Sequence, residues 1–368
     1  MFIGIEASHA NKARRTGVEE YCWQIIQNLK KEIPSDVRVI LYSHQPLVGE
    51  LAVLPSNWSV KILKWPFKKC WSQICLSWEF FRRPPDIFFA PGQLVPLVCP
   101  KNTIATIHDS GFMVFPETYG FLSRLYLKWM NRLIIKKAKL ILTPSEFSKN
   151  ELVRLYNFPK EKIIVSPLGC QERFFNAASA SAEILKKYGL SKPFIVSVGR
   201  IEEKKNFANQ IRAFNILRRN FDCQYLLVGQ PGRGYEKAKA EIESSPFKPD
   251  IIEHGWVDHA ELPALLRSAE LLLFVSRYEG FGIPVLEAMA SGCPVVASRK
   301  NSLEEVGGGA AVYAEAENPD EIASVALSLL KNPDLKQEKI RLGLERAKTF
   351  SWQKTAGLTW QALKRLSE

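Results

Sequence analysis

Brief apolar runs alternate with longer stretches of helical period along most of this chain, and that alternation predicts its architecture. The runs at 2–7, 37–42, 60–63, 86–90, 103–107 and 140–143 are short and largely apolar, as strands covered on both faces are. Between them, apolar positions follow the helical repeat over about 17–31 and about 121–138. Ser145 has the character of an N-cap, with Glu146 and Ser148 in the first turn of the next helix. A second series of runs follows at 194–198, 225–228, 251–252, 271–275 and 294–297. Strands alternating with helices predict an α/β protein with parallel sheets, and the economical arrangement is two doubly wound Rossmann-like domains facing across a cleft. The small, polar segment Asn176-Ala177-Ala178-Ser179-Ala180-Ser181-Ala182 reads as the linker, giving domains at 1–176 and 177–351 and a last helix at about 352–368.

A length of 368 residues with 46% hydrophobic side chains supports two cores of ordinary size. The seven cysteines are scattered and odd in number, with no Cys-x-x-Cys pair, so neither a disulfide framework nor a zinc site is expected and a reducing cytoplasm fits best. Met1 leads straight into a strand without the basic and apolar parts of a signal peptide, and no apolar run approaches the roughly 20 residues that cross a bilayer. Charge is uneven: residues 1–175 hold 24 Lys and Arg against 14 Asp and Glu, and residues 176–368 hold 26 against 24. The basic half suits a phosphate-bearing substrate, an anionic membrane or nucleic acid, and by itself implies only solubility.

The densest chemistry lies after the run at 271–275. Ser276-Arg277-Tyr278-Glu279-Gly280-Phe281-Gly282-Ile283-Pro284-Val285-Leu286-Glu287 places a carboxylate at each end of a glycine turn that enters a helix. Gly280 and Gly282 let the backbone turn sharply against a ligand, and Pro284 suits a first helical position. At Phe281 and Gly282 the opening helix presents free amides and the positive end of its dipole, where a diphosphate is favoured. This is the pattern of a turn that holds a sugar nucleotide. On these residues alone, a capping Glu279 and a solvated Glu287 remain the plainer alternative.

Gly199-Arg200-Ile201-Glu202-Glu203-Lys204-Lys205-Asn206 follows the strand at 194–198 and presents cations at a strand's carboxyl end. Arg200 offers a planar fork and Lys205 a mobile point charge to phosphate oxygens, against the alternative of a solvated charged turn. In the first half, Thr106-Ile107-His108-Asp109 puts an imidazole at another strand end, with Asp109 either orienting the ring or capping the next turn. The loop Ala13-Arg14-Arg15-Thr16-Gly17-Val18-Glu19 leads into the first helix, and Gly17 permits close backbone approach.

With its continuation Glu287-Ala288-Met289-Ala290-Ser291-Gly292-Cys293-Pro294, the Glu-Gly-Phe-Gly block resembles the signature of the retaining glycosyltransferases of family 4. The similarity runs over nearly the whole chain, through Thr143-Pro144-Ser145-Glu146, Pro167-Leu168-Gly169, Arg200 with Lys205, and Phe350-Ser351-Trp352, and the His-Asp pair matches a mannosyltransferase-like subgroup. One departure is Ser302-Leu303-Glu304-Glu305-Val306, where relatives often carry a proline. The resemblance implies the GT-B fold, with the last helix returning to the first domain. It implies transfer of a hexosyl group, mannose from GDP-mannose in the first instance, to a saccharide or lipid-linked hydroxyl with retention. Glu279 would then hold donor-sugar hydroxyls and Glu287 the ribose, while Arg200, Lys205 and the helix N-terminus at Phe281 and Gly282 stabilise the leaving diphosphate. His108 would lie by the sugar as base or contact, Gly17 by the phosphates, and Val257, in the loop His254-Gly255-Trp256-Val257, by a guanine or uracil base.

No cofactor and no metal are expected, since the chain contains no Asp-x-Asp triplet to hold a donor through a divalent cation. The acceptor is expected at the basic half. There Lys61-Ile62-Leu63-Lys64-Trp65-Pro66-Phe67-Lys68-Lys69-Cys70-Trp71, with Trp78, Phe80, Phe81, Arg82 and Arg83, suits a membrane interface as well as a packed core. A GT-B isomerase or phosphorylase is the rival enzyme reading. A nucleic-acid-binding protein would explain the charge of +12, but no known module of that kind is present.

Overall fold

The computed structural model describes residues 1–67 and 70–367, so Lys68 and Lys69 of the basic aromatic segment lie outside the described residues. It divides into two compact units. One comprises Met1–Val114, Phe121–Gly169 and Ser351–Glu368, and the other Phe115–Gly120 and Cys170–Phe350.

The first unit is built on β1 (Phe2–Glu6), β2 (Arg38–Ser43), β3 (Trp58–Ile62), β4 (Ile87–Ala90), β5 (Asn102–Thr106), β6 (Leu140–Thr143) and β7 (Ile163–Val165), in spatial order β3-β2-β1-β4-β5-β6-β7. The second is built on β8 (Phe194–Val198), β9 (Gln224–Val228), β10 (Ile251–His254), β11 (Leu271–Phe274), β12 (Val295–Ser298) and β13 (Val312–Ala314), in order β10-β9-β8-β11-β12-β13. Every neighbouring pair is parallel. The central strands are largely apolar because helices cover both faces: Ile3, Ile5, Phe88, Phe89, Ile195, Val196, Leu271 and Leu272 are fully buried. Each such side chain contributes about 1.5–3 kcal/mol of burial.

In each sheet the order reverses beside the first strand, between β1 and β4 and between β8 and β11. Connections leave toward opposite faces at such a point, and the carboxyl ends of the two strands are left with a crevice.

The units divide at Gly169 and Cys170, ahead of the segment at 176–182 where the sequence places the linker. That segment lies inside the second unit, with the Ala180 amide on Ser268 Oγ at 2.7 Å and Ser181 capping helix Ala182–Lys187. Its small residues lie at the surface of that unit. Helix Trp352–Lys364 belongs to the first unit and packs on helix Gly17–Glu32. Thr355 Oγ1 donates to the Pro167 carbonyl at 2.6 Å. Gly169 is required there, since a Cβ would lie 2.1 Å from the Trp352 nitrogen.

Candidate active site

In the second unit, the loops after β8 and β11 are zipped together by their backbones. The Arg277 amide donates to the Lys204 carbonyl at 2.8 Å. Asn206, held in the left-handed region at φ 63°, sends its amide group to the carbonyls of Val275 at 3.1 Å and Ala316 at 2.6 Å. The Lys205 carbonyl accepts from Gln210 Nε2 at 2.6 Å, and Gln210 Oε1 in turn accepts from the buried hydroxyls of Ser197 and Tyr225. This frame brings Lys205 Nζ onto Glu279 Oε1, with both side chains largely buried. The ammonium also lies 4.9 Å from the centre of the Phe274 ring. A carboxylate and an ammonium thus meet at the β8/β11 crevice, each with hydrogen-bonding capacity left over.

The glycine turn is stapled from behind. Ser302 Oγ stands within hydrogen-bond distance of the carbonyls of Glu279 at 2.8 Å and Phe281 at 3.0 Å. Asn301 bonds the Ser276 carbonyl at 3.1 Å and caps Leu303 at 2.8 Å. Gly282 has φ 108°, and a Cβ on it would lie 2.4 Å from Leu303 Cδ2, so the position admits only glycine without strain. Helix Ile283–Ala290 begins immediately after, with Pro284 one position later than expected and Glu287 a turn inside. Neighbouring loops close in as tightly: a Cβ on Gly229 would meet the Gly199 carbonyl oxygen at 1.9 Å.

The other residues singled out in this unit stand at the same edge of the sheet. Arg200 is exposed and only loosely paired, 3.5 Å from Glu202. Val257 is buried after β10, while the neighbouring Trp256 is 40% exposed and makes an edge contact with His259.

In the first unit, His108 follows β5. Its Nε2 faces the Pro91 carbonyl at 2.9 Å and its backbone amide donates to Gln93 Oε1 at 3.1 Å. Tyr21 meets the ring edge-on at 4.7 Å. Burial pushes the imidazole down to about 4, against weaker opposing effects of the Pro91 contact and Asp109. A carbonyl can only accept, so the neutral ring keeps its hydrogen on Nε2 and presents Nδ1 as an acceptor. Asp109 Oδ1 accepts the Gly111 amide at 2.9 Å, capping the next turn. Gly17 opens helix Gly17–Glu32, and a Cβ there would meet nothing within 4 Å, so the fold itself makes no demand for glycine. Arg15 pairs with Glu20 at 2.7 Å and lies over the Trp23 ring, while Arg14 is exposed.

Comparison with known proteins decides the family. The family described as Glycosyltransferase Family 4 matches residues 15–172, and Glycosyl transferases group 1 matches residues 181–344. O-antigen chain mannosyltransferase B of Escherichia coli is 31% identical over 283 residues, covering 76% of this chain and 73% of the relative. The chain is a family 4 glycosyltransferase. Among solved structures, sucrose-phosphate synthase from Thermosynechococcus elongatus aligns with TM-score 0.75 at 17% identity over 100% of this chain and 99% of the other. Anabaena HepE in complex with UDP-glucose aligns with TM-score 0.72 at 15% identity, again over 100% and 99%. The fold of the transferase is therefore GT-B, and hexosyl transfer is its class of reaction.

Sequence reasoning missed the residues that position this glycosyltransferase's motifs. Ser302 and Asn301 come after the motif and look like ordinary helix-capping residues. Their only signal is an Asn-Ser pair at the start of a helix, and a cap is also what Asn301 forms. Gln210 sits one turn into helix Phe207–Arg218, where a buried amide has no sequence signature. Among the described residues, no group of three or more His, Cys, Asp or Glu is arranged to hold a metal ion.

Proposed function

We propose that this glycosyltransferase moves a mannosyl group from GDP-mannose to a hydroxyl of a saccharide or lipid-linked acceptor, with retention and without a metal. The pairing of Lys205 with Glu279 at the β8/β11 crevice carries the reading, because it sets a phosphate-seeking cation beside a hydroxyl-binding carboxylate. In this scheme Glu279 accepts from hydroxyls of the donor sugar and Glu287 from the ribose. Lys205, Arg200 and the amides opening helix Ile283–Ala290 hold the diphosphate. Val257 offers backbone groups to the base, and Gly17 lets its backbone approach the phosphates. The bond from the anomeric carbon to the diphosphate breaks, its electron pair staying on the phosphate oxygen, whose charge the clamp stabilises. The acceptor oxygen bonds to the same face of the sugar, and its proton passes to the departing phosphate. His108, neutral near pH 7, accepts a sugar hydroxyl hydrogen through Nδ1 and is too weak a base to remove the proton itself.

The mannosyltransferase relative supports mannose, whereas the structural neighbour holding UDP-glucose keeps a uracil donor in the test. The acceptor reading extends to the membrane. Trp78 and Phe81 are 62% and 71% exposed, their rings stacked 6.0 Å apart, with Arg82 and Arg83 exposed beside them. Such a surface suits the anionic cytoplasmic face of a bilayer. No helix among the described residues is long and apolar enough to cross a membrane.

The deciding experiment is a thermal-shift screen over GDP- and UDP-linked sugars, followed by product analysis with and without EDTA. GDP-mannose is expected to stabilise the wild type most, and Glu279→Gln is expected to lose turnover. A larger shift with a UDP sugar would replace the donor, and turnover abolished by EDTA would end the metal-independent scheme.

A further inference from the structure

Glu6 ends β1 at the crevice of the first sheet and is 1% exposed. A buried carboxylate is costly unless it is paired. Its Oε1 accepts the Ser8 amide at 2.7 Å, and its Oε2 meets His9 Nδ1 at 2.9 Å. Burial works to raise the Glu6 pKa, but the His9 charge and the hydrogen bonds of His9 and Ser8 outweigh it, leaving the carboxyl below its ordinary range. The same carboxylate lifts His9 above its ordinary value, against an opposing effect of burial. Nδ1–H is thereby committed to Glu6, and Nε2 is left as the working atom of a carboxylate–imidazole pair. Among the described residues His9 has no other hydrogen-bond partner, and its side chain is 33% exposed.

A second observation comes from across the crevice. Gly92 follows β4, and a Cβ there would lie 2.6 Å from His9 Cγ and Nδ1, so the ring fills the space any other residue would need. Pro91 and Gln93 on either side hold His108. One short turn thus brackets two imidazoles shifted in opposite directions, His108 downward and His9 upward. The loop running on from His9 carries Lys12 and Arg14, both exposed, while Glu19 and Glu20 are taken up by Thr16 and Arg15. The charged and titratable groups that act on His9 are Glu6, Lys12 and Glu19, and His9 in turn acts on His44 and His108.

We propose that His9 is a substrate-recognition residue of this transferase, its Nε2–H donating to a phosphoryl oxygen at the β1/β4 crevice, with Lys12 and Arg14 completing the positive field. The inference rests on the proposed function only for the source of that oxygen, which is either the donor diphosphate or the phosphate of a lipid-linked acceptor. A merely structural pair would order the loop and ignore phosphate.

The test is an NMR titration of the full chain labelled in histidine, with His9→Gln identifying the His9 signal among the five histidines. The His9 ring is expected to titrate above 6.5, and Glu6→Gln to bring it down. At pH 6 inorganic pyrophosphate should move the signal saturably, and Glu6→Gln should weaken that response about tenfold, as loss of a charge-assisted hydrogen bond does. A response to GDP assigns the donor diphosphate as source, and a response to farnesyl diphosphate but not GDP assigns the acceptor. If Glu6→Gln does not fold, calorimetry of pyrophosphate with His9→Gln supplies the same comparison. A His9 signal that titrates normally but is moved by none of the three probes overturns the proposal. A signal that moves in a chain unable to turn over any nucleotide sugar would instead sink the donor reading and leave the site standing.

Discussion

The two crevices of this glycosyltransferase use charge in different ways. At β8/β11 the opposite charges face one another directly, Lys205 on Glu279, and the turns that carry them are tied by Asn206, Ser302 and backbone hydrogen bonds. At β1/β4 the charge is held inward by a buried carboxylate, while Lys12 and Arg14 of the following loop are left open to solvent. A site tied to its backbone suits a ligand whose chemistry is constant, such as a nucleotide diphosphate. A site made of loop cations and a partly exposed imidazole suits a ligand that changes between relatives. Preorganisation at the first crevice and adaptability at the second follow from where the hydrogen bonds are spent.

The largest effect that would sharpen this contrast is expected at Lys205. Removing the ammonium by Lys205→Ala should lower turnover of the best donor about 10²–10³-fold, with a fall in melting temperature as well because Glu279 is left largely buried without its partner. A loss no greater than that of His9→Gln would break the distinction between the crevices. Next comes a pair of glycine substitutions. Gly282→Ala forces a Cβ into Leu303 at φ 108° and should cost about 1–3 kcal/mol of stability in denaturant unfolding. Gly17→Ala meets no atom of the chain, so its stability should stay within about 0.5 kcal/mol while turnover falls. Unchanged turnover would remove Gly17 from the donor site. Ser302→Ala, which releases the turn from behind, should cost about 1 kcal/mol and reduce donor affinity. The last effect appears only in acid. His108 is held down to about 4 when folded, against 6.5 for an ordinary histidine. Its contribution to stability is therefore complete above pH 6.5 and is lost as pH falls toward 4, because the unfolded chain takes up the proton first. His108→Gln should flatten that part of the stability profile measured by thermal melting.

Much of this was legible in the sequence, for identifiable reasons. Strands buried on both faces are continuous apolar runs, so β1, β8, β9 and β11 stood out, and the motif at 276–287 is contiguous because one turn performs one task. The three-residue strands β7 and β13 were not legible, since Ile163-Ile164-Val165 and Val312-Tyr313-Ala314 are too short to set a period. Nor was the division at Gly169, which depends on how closely the Trp352 backbone approaches a single Cα. The sequence drew attention to His108 by its place at a strand end. It drew none to His9, whose significance requires knowing that Gly92 stands beside it. Supports such as Gln210 and Ser302 act across turns far apart in the chain, and only the folded backbone brings them together.

Helix Trp352–Lys364 has a consequence for biosynthesis. The unit built on β1–β7 is completed by residues translated after all of Cys170–Phe350, which with Phe115–Gly120 makes up the second unit and is available beforehand. On the ribosome the second unit is free to fold while the first waits with the flank of Gly17–Glu32 uncovered. A nascent chain arrested before Trp352 should therefore expose that apolar flank, including Tyr21, to chaperones, and premature termination there should be more damaging than its short length suggests.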